Sequence, residues 1–153
     1  MSQGNTAPPR LALEALSLPS PRLLAPNHIF VHPGALNNID DLNFAKTQIS
    51  LGHQPWSNKF EQLKLMATPG TFQFEWIDSK NHNTAEAAQY AAKKAYANAL
   101  AWFYSGEDTF AKQGVALLAD WQKLKGFNAG VDQDKLLAGW LGALIGPAAE
   151  ILS

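Results

Sequence analysis

The segment from Asn83 to Leu124 restricts the fold of this chain more than any other part of the sequence. Apolar residues recur there at three- and four-residue spacings, which predicts amphipathic helices over about Thr84 to Tyr104 and about Asp108 to Lys125. Only Ser105-Gly106-Glu107 separates them, so we expect a tight turn and an antiparallel helical hairpin. The predicted apolar face of the first helix is Ala88, Ala92, Tyr96, Ala99, Leu100 and Phe103. That of the second helix is Phe110, Gly114, Leu117, Leu118, Trp121 and Leu124. Polar residues mark the solvent-facing sides of the first helix; they are Glu86, Gln89, Lys93 and Asn98.

Two shorter helices are predicted before this hairpin. The asparagines at 37–38 offer an N-cap, the aspartates at 40–41 suit the positive end of a helix dipole, and Gly52 stops that helix. Pro55 begins the next helix at its first turn, and Thr68-Pro69-Gly70 ends it. The fold predicted from periodicity is therefore all-α.

The residues from Thr71 to Asn83 are the least regular part of the predicted domain. Aromatic and polar residues alternate there, as they do in a strand, but no partner segment is evident. We therefore predict an extended loop with aromatic anchors, and a second loop over Gly126 to Gly130. Asn83 is the predicted N-cap of the central helix, with Glu86 completing a capping-box-like pair.

A last helix is predicted to begin at Asp132 or Asp134 and to run towards Ser153. Pro147 lacks the N–H group of an interior helical residue, which predicts a kink or a restart. Small residues at three- and four-residue spacing favour the close approach of a neighbouring helix; they are Gly139, Gly142 and Gly146. The wide apolar face ends abruptly, which predicts a domain truncated at its C-terminus and self-association through the apolar face.

Five prolines among residues 1–27 argue against long regular structure there. We predict a proline-rich N-terminal arm at residues 1–27, lying against a helical domain at residues 28–153. The run His28-Ile29-Phe30-Val31 is β-prone and ends at the turn signal His32-Pro33-Gly34. No signal peptide is recognisable, so the chain is either cytoplasmic or begins after a removed signal.

Composition excludes several classes of function. The net charge of −1 provides no global field that would recruit nucleic acid or an anionic membrane, and no apolar run approaches the roughly 20 residues of a membrane helix. The chain has no cysteine, which excludes disulfides and thiolate catalysis. The four histidines are scattered and form no HExxH pair, so neither a metal nor a cofactor is predicted. Only 16% of residues are charged, which indicates broad buried or partner-facing surface.

The order of several short motifs resembles the alginate-lyase superfamily. His32-Pro33-Gly34, an acidic helix and then Gln54-Pro55-Trp56 resemble the start of that family's domain. Ala95 to Trp102 with Ser105-Gly106-Glu107-Asp108 resembles its first long helical hairpin. Leu118 and Trp121, Lys135 to Trp140, and Ala148 to Leu152 resemble the segments that follow, so the match covers about residues 32–152.

This resemblance implies an incomplete (α/α) toroid of antiparallel helical hairpins around a groove. It also implies a polysaccharide lyase that cleaves uronate-containing glycans, of the alginate or glucuronan class, by β-elimination outside the cell or in the periplasm. That reaction needs a group that neutralises the uronate carboxylate, a base that takes the C5 proton and an acid for the leaving oxygen. The family supplies an Asn-His element and a tyrosine, which we expect beyond Ser153. The chain alone is then weakly active or inactive.

Two groups of residues are candidates for substrate binding. Asn81-His82-Asn83 either contacts the hydroxyls or carboxylate of a sugar or, as we favour, is a polar loop and helix cap. Trp76 and Trp140 either stack on sugar rings or are packing anchors, whereas Trp56, Trp102 and Trp121 are assigned to the core. The alternative to a lyase is a helical module that binds carbohydrate or protein without catalysis.

Overall fold

The computed structural model describes residues 33–153, and these residues are mostly helical. The predicted arm at residues 1–27 and the run at 28–32 lie outside the described residues. Along the described chain the elements are α1 (Ile39–Ser50), α2 (Trp56–Met66), β1 (Trp76–Ile77), α3 (His82–Ser105), α4 (Asp108–Trp121), β2 (Gly126–Phe127) and α5 (Asp132–Ile151). The two predicted helices at 84–104 and 108–125 correspond to α3 and α4, which follow each other after Gly106 and Glu107.

Helix α3 is the central element, because it contacts each of the other four described helices and β1. Its alanines make this possible, since a small side chain lets a neighbouring backbone approach closely. Ala88, Ala92, Ala95 and Ala99 are all 0% exposed. The predicted apolar face of α3 is confirmed at Ala88, Ala92 and Ala99, and Tyr96, Leu100 and Phe103 pack against the same core while half-buried.

Asn98 was predicted to lie on a wetter side of α3, and this prediction is wrong. The residue is fully buried, and its amide nitrogen donates hydrogen bonds to the carbonyl oxygens of Thr68 at 3.1 Å and Lys94 at 2.9 Å. Both α2 and α4 pack on α3, so α3 is buried on more than one face. A single apolar stripe, as periodicity assumes, underestimates the burial of a helix in this position.

Close helix packing occurs at Gly114 of α4 and not at the glycines of α5. A Cβ atom at Gly114 would lie 2.8 Å from Leu152 Cδ1 and 3.4 Å from Asn98 Cβ. At Gly139, Gly142 and Gly146 a Cβ atom would meet no neighbouring atom within 4 Å. Among the described residues, therefore, no helix approaches this side of α5 as the sequence had suggested.

The helix ends confirm some of the predicted caps and correct others. The Asn38 side chain accepts the Asp40 N–H at 2.9 Å, and Gly106 follows α3 with a φ of +74°. The cap of α3 is Asn81 and not Asn83, because Asn81 Oδ1 accepts the Asn83 N–H at 3.1 Å. The helix therefore begins two residues earlier than predicted, and the proposed Asn83–Glu86 capping box is wrong. Helix α5 continues through Pro147 instead of restarting there.

The segments predicted as separate loops pair with each other. β1 and β2 form a two-stranded parallel ladder in which Trp76 is opposite Gly126 and Ile77 is opposite Phe127. Local sequence does not show this pairing, because the two strands are separated by the whole α3–α4 unit. The ladder holds together the chain segments that precede α3 and α5.

Candidate functional site

The candidate site is built on two chain segments, residues 75–83 and 125–131, which we call the paired loops. Hydrogen bonds extend the β1–β2 ladder at both ends: the Lys125 N–H donates to the Glu75 carbonyl at 2.7 Å, and the Asn128 N–H donates to the Ile77 carbonyl at 3.0 Å. Ile77 is completely buried and anchors the ladder in the core. The backbone of the paired loops is therefore held on a rigid base while their other side faces outward.

The indole of Trp76 lies on the outward side of the paired loops. A Cβ atom built on Gly126 would be 3.2 Å from Trp76 Cζ3 and 3.7 Å from Cε3, so the six-membered ring packs against the glycine backbone. Any larger residue at position 126 would push the ring away. Trp76 nevertheless remains 47% exposed. The result is an aromatic surface held in place from one side and open to solvent.

Polar residues follow both strands of the ladder. Asp78 comes directly after β1 and Asn128 directly after β2, one position beyond the Ile77–Phe127 pair. Asn128 is exposed, and the Asp78 carboxylate accepts the Lys80 N–H at 2.8 Å. These groups can donate and accept hydrogen bonds within the paired loops.

Basic side chains border the same segments. The ammonium group of Lys80 lies 3.5 Å from the carbonyl oxygen of Ala129, which places its positive charge across the two loops. Lys125 forms a 2.7 Å ion pair with Glu75, and both of these side chains are 58% exposed. Lys80 therefore supplies a cation between the paired loops, while the charge of Lys125 is balanced by its partner.

Asp134 in the first turn of α5 holds the paired loops in position. Its Oδ1 atom accepts the Ser79 hydroxyl at 2.5 Å, and its Oδ2 atom accepts the Gly130 N–H at 2.8 Å and the Val131 N–H at 3.4 Å. The hydrogen bond from Ser79 is the main reason why the pKa of Asp134 is lowered, with burial opposing it and the backbone donors assisting. The carboxylate thereby ties both loops to α5.

A second carboxylate fixes the chain that leads into β1. Asp120 Oδ2 accepts the Phe72 N–H at 3.0 Å, while Oδ1 is 2.6 Å from the Lys123 ammonium. The Lys123 hydrogen bond is the largest cause of the lowered pKa of Asp120, followed by that of Phe72. The Phe72 ring is stacked on Trp121 at a centroid distance of 4.2 Å. This arrangement confirms Trp121 as a core residue and explains why Phe72 is an anchor.

An open cavity of about 430 Å³ lies next to the paired loops, at the start of α5. Its volume falls within the usual range for small-ligand sites. Charged residues occur on its wall together with apolar ones, so it offers both kinds of contact to a ligand. The lining residues are Phe127, Gly130, Val131, Asp132, Asp134, Lys135 and Ala138.

The structure places the four sequence-predicted site residues in two different regions. Asn81, His82 and Asn83 lie at the end of the first paired loop, where they form the exposed N-terminus of α3. The His82 side chain is 85% exposed, and its Nε2 atom is 3.2 Å from Glu86 Oε2. Trp140 is 51% exposed on α5, about 120° around the helix and about 9 Å along it from Asp134.

Two groups of the kinds that β-elimination uses, a tyrosine and a histidine, form hydrogen bonds with amide side chains. The Tyr96 hydroxyl exchanges hydrogen bonds with the Asn37 amide at 2.8 and 3.0 Å, and His53 Nδ1 lies 2.8 Å from Gln48 Oε1. No described hydrogen bond joins a histidine to a tyrosine. Within residues 33–153 no cluster of three or more His, Asp or Glu side chains could hold a metal ion, and no helix there has the length and apolarity to cross a membrane.

Comparison with protein-family models, with curated proteins and with solved structures finds no match for this chain. The resemblance to alginate lyases therefore remains an inference from short motifs in the sequence.

Sequence reasoning missed the residues that assemble the paired loops. Asp134 was considered only as a helix cap, and neither Ser79 nor Asn128 was singled out. The one available signal was the alternation of aromatic and polar residues from Phe72 to Trp76, which predicts extended chain. That signal needs a partner strand to become informative, and the partner is contributed by a segment beyond α4.

Proposed function

We propose that this protein binds uronate-containing polysaccharides of the alginate or glucuronan class through Trp76 and the paired loops. The observation that carries the proposal is the half-exposed Trp76 ring, which packs against Gly126 in the ladder that Asp78 and Asn128 directly follow. A ring that is already held in place loses little conformational entropy when a ligand binds.

The chemistry of the surface suits a sugar acid. The apolar C–H face of a pyranose packs on an indole, and the ring hydroxyls exchange hydrogen bonds with amide and carboxylate side chains. A uronate adds one negative charge per residue, which Lys80 is placed to attract. The cavity beside Lys135 lies next to the paired loops and offers a second place of contact for a polymeric ligand.

The proposal includes a relationship to polysaccharide lyases. In that view α3 and α4 form an antiparallel hairpin and, with α5, belong to an incomplete (α/α) toroid whose groove takes the glycan. The support is the order of the sequence motifs together with the mostly helical structure. Because the described contacts do not bring a histidine and a tyrosine together, we expect this chain to bind the glycan without turning it over.

The experiment is calorimetric titration of the purified chain with saturated oligouronates of four to six sugars. Trp76→Ala should weaken binding about tenfold, equivalent to about 1.4 kcal/mol, because the stacking surface is lost. Trp140→Ala is the matched control, since this tryptophan has a similar exposure but lies on α5. Unchanged affinity in Trp76→Ala would exclude the site, and a loss confined to Trp140→Ala would move it to α5.

Catalysis is tested separately. A β-elimination produces an unsaturated uronate that absorbs ultraviolet light, so turnover of alginate or glucuronan is followed by absorbance. We expect binding without a sustained rise in absorbance. Robust turnover by the purified chain would show that the catalytic groups are present and that the described contacts fail to reveal them.

A further inference from the structure

A second open cavity, of about 320 Å³, lies between α1, α2 and the last turn of α3. Three aromatic side chains, Trp56, Phe60 and Tyr104, form part of its wall, and all three are half-buried. The rings of Phe60 and Tyr104 meet edge to face, with their centroids 6.0 Å apart. None of the lining residues belongs to the paired loops, so this cavity is separate from the proposed glycan site.

A single charged residue, Lys59, interrupts the otherwise uncharged wall of this cavity. Its ammonium group donates a hydrogen bond to Gln62 Oε1 at 3.1 Å, and within residues 33–153 it forms no ion pair. The nearest carboxylate in sequence, that of Glu61, is paired with Lys64 at 2.8 Å. The positive charge of Lys59 is therefore free to meet the negative charge of a ligand.

Two further groups near the cavity suit an anionic ligand. The Tyr104 hydroxyl forms no hydrogen bond within residues 33–153, and burial, with Tyr96 assisting, raises its pKa, so it stays a protonated donor. The Lys46 ammonium lies 5.2 Å from the ring centroid of Phe103, the residue before Tyr104. The two carboxylates of α1 are in its first turn, before the cavity residues of that helix. Lys46 and Lys59 thus provide cations on both α1 and α2.

We propose that this cavity binds a small aromatic carboxylate, whose ring contacts the three aromatic side chains and whose carboxylate binds Lys59. A ligand ring gains edge-to-face contacts with the aromatic wall, and the ammonium–carboxylate hydrogen bond is charge-assisted. The cavity volume is at the lower end of the usual range for small-ligand sites, which suits one or two rings. A sugar acid would leave its hydroxyl groups unpaired against this wall, so the oligouronates of the paired loops do not compete for it.

The test is titration of the isotope-labelled full chain with phenylpropionate, followed by NMR. We expect saturable shifts centred on the cavity, including the indole N–H of Trp56, whose signal is assigned with Trp56→Phe. Phenylpropanol and hexanoate are the matched probes, and each should bind about fivefold more weakly, because one lacks the charge and the other lacks the ring. Shifts centred elsewhere, or no saturable shift at Trp56, would overturn the proposal.

Substitution of Lys59 tests whether the cavity recognises the carboxylate. Lys59→Ala should weaken phenylpropionate binding about fivefold and leave phenylpropanol binding unchanged, whereas Lys59→Arg should keep most of the affinity for the acid. Lys112→Ala is the matched control, because it removes an exposed lysine from α4. Equal losses in Lys59→Ala and Lys112→Ala, or equal affinities of the wild type for the acid and the alcohol, would show that the charge is not recognised. Hexanoate binding as tightly as phenylpropionate would rule out an aromatic ligand.

Discussion

The hydroxyl oxygen of Ser79 lies 2.5 Å from the Oδ1 atom of Asp134, across 55 positions of sequence. This hydrogen bond joins the end of β1 to the first turn of α5. Because Asp134 also accepts the Gly130 N–H, one carboxylate orients both of the paired loops. Asp134 thus ties the paired loops to α5, in addition to the hydrogen bonds of the ladder that join the loops to each other.

Loss of the Ser79 hydroxyl should destabilise the fold measurably. In Ser79→Ala the Asp134 carboxylate loses its shortest hydrogen bond, and we expect the Tm to fall by about 2–5 °C. Thermal unfolding followed by circular dichroism measures the effect. Ser50→Ala is the control, because that hydroxyl only bonds the nearby Thr47 carbonyl on an exposed surface. Equal Tm changes in the two variants would contradict the role of Ser79.

The lowered pKa values of Asp120 and Asp134 predict loss of stability in acid. Each carboxylate has a folded-state pKa below its unfolded value of about 3.9. Its contribution to the free energy of unfolding is therefore complete above that pH and is lost as the pH falls through the folded-state pKa. Denaturant unfolding at several pH values below about 5 should show that the free energy of unfolding falls as the pH falls. This slope of stability against pH should be shallower in Asp134→Asn than in Asp132→Asn, whose carboxylate is 96% exposed. The same slope in both variants would rule out Asp134 as a cause of the loss of stability in acid.

The close contact at Gly114 predicts a rescue experiment. Gly114→Ala should lower the free energy of unfolding by about 1–2 kcal/mol, because the new methyl group meets Leu152 Cδ1 and outweighs the gain in helix propensity. Adding Leu152→Ala removes the clashing atom, so the second substitution should cost less in the Gly114→Ala background than in the wild type. Chemical denaturation of the four proteins gives the coupling. Strict additivity would show that the two sites do not interact.

Removal of the Asn98 amide should be costly although the residue is polar. Asn98→Ala deletes the donors to the Thr68 and Lys94 carbonyls and leaves a buried space, at a cost of about 2–3 kcal/mol. Asn58→Ala, at an exposed position of α2, is the control and should change stability by less than about 0.5 kcal/mol. Urea titration compares them. A neutral effect of Asn98→Ala would mean that the buried amide is not needed.

The proposed glycan site predicts a charge effect at Lys80. Lys80→Ala should weaken oligouronate binding about threefold at low salt, and less at high salt, because screening reduces the attraction between exposed charges. Lys59→Ala removes an exposed lysine from α2 and serves as the control. Titrations at two salt concentrations measure the difference. If both lysines change the affinity equally, net charge and not the paired loops attracts the ligand.

Local sequence was sufficient for the elements whose signals lie within a few residues. The Asn38 cap, the glycine after α3 and the alanine face of α3 were all predicted, because caps, left-handed glycines and apolar periodicity are short-range features. Asn98 was wrongly predicted because distant segments decide its burial: two helices cover α3. The N-cap at Asn81 instead of Asn83 is a local error, since it rests on the Asn83 N–H donating to Asn81 Oδ1.

By itself, then, the sequence determined a mostly helical chain with a central α3–α4 unit, since backbone hydrogen bonds and apolar periodicity within each helix are local. Only the tertiary structure decided that β1 pairs with β2, that Ser79 meets Asp134 and that Trp76 is displayed on Gly126. These contacts join segments separated by 50 to 55 positions. Such pairings depend on how α3, α4 and α5 pack together, which no short stretch of sequence encodes.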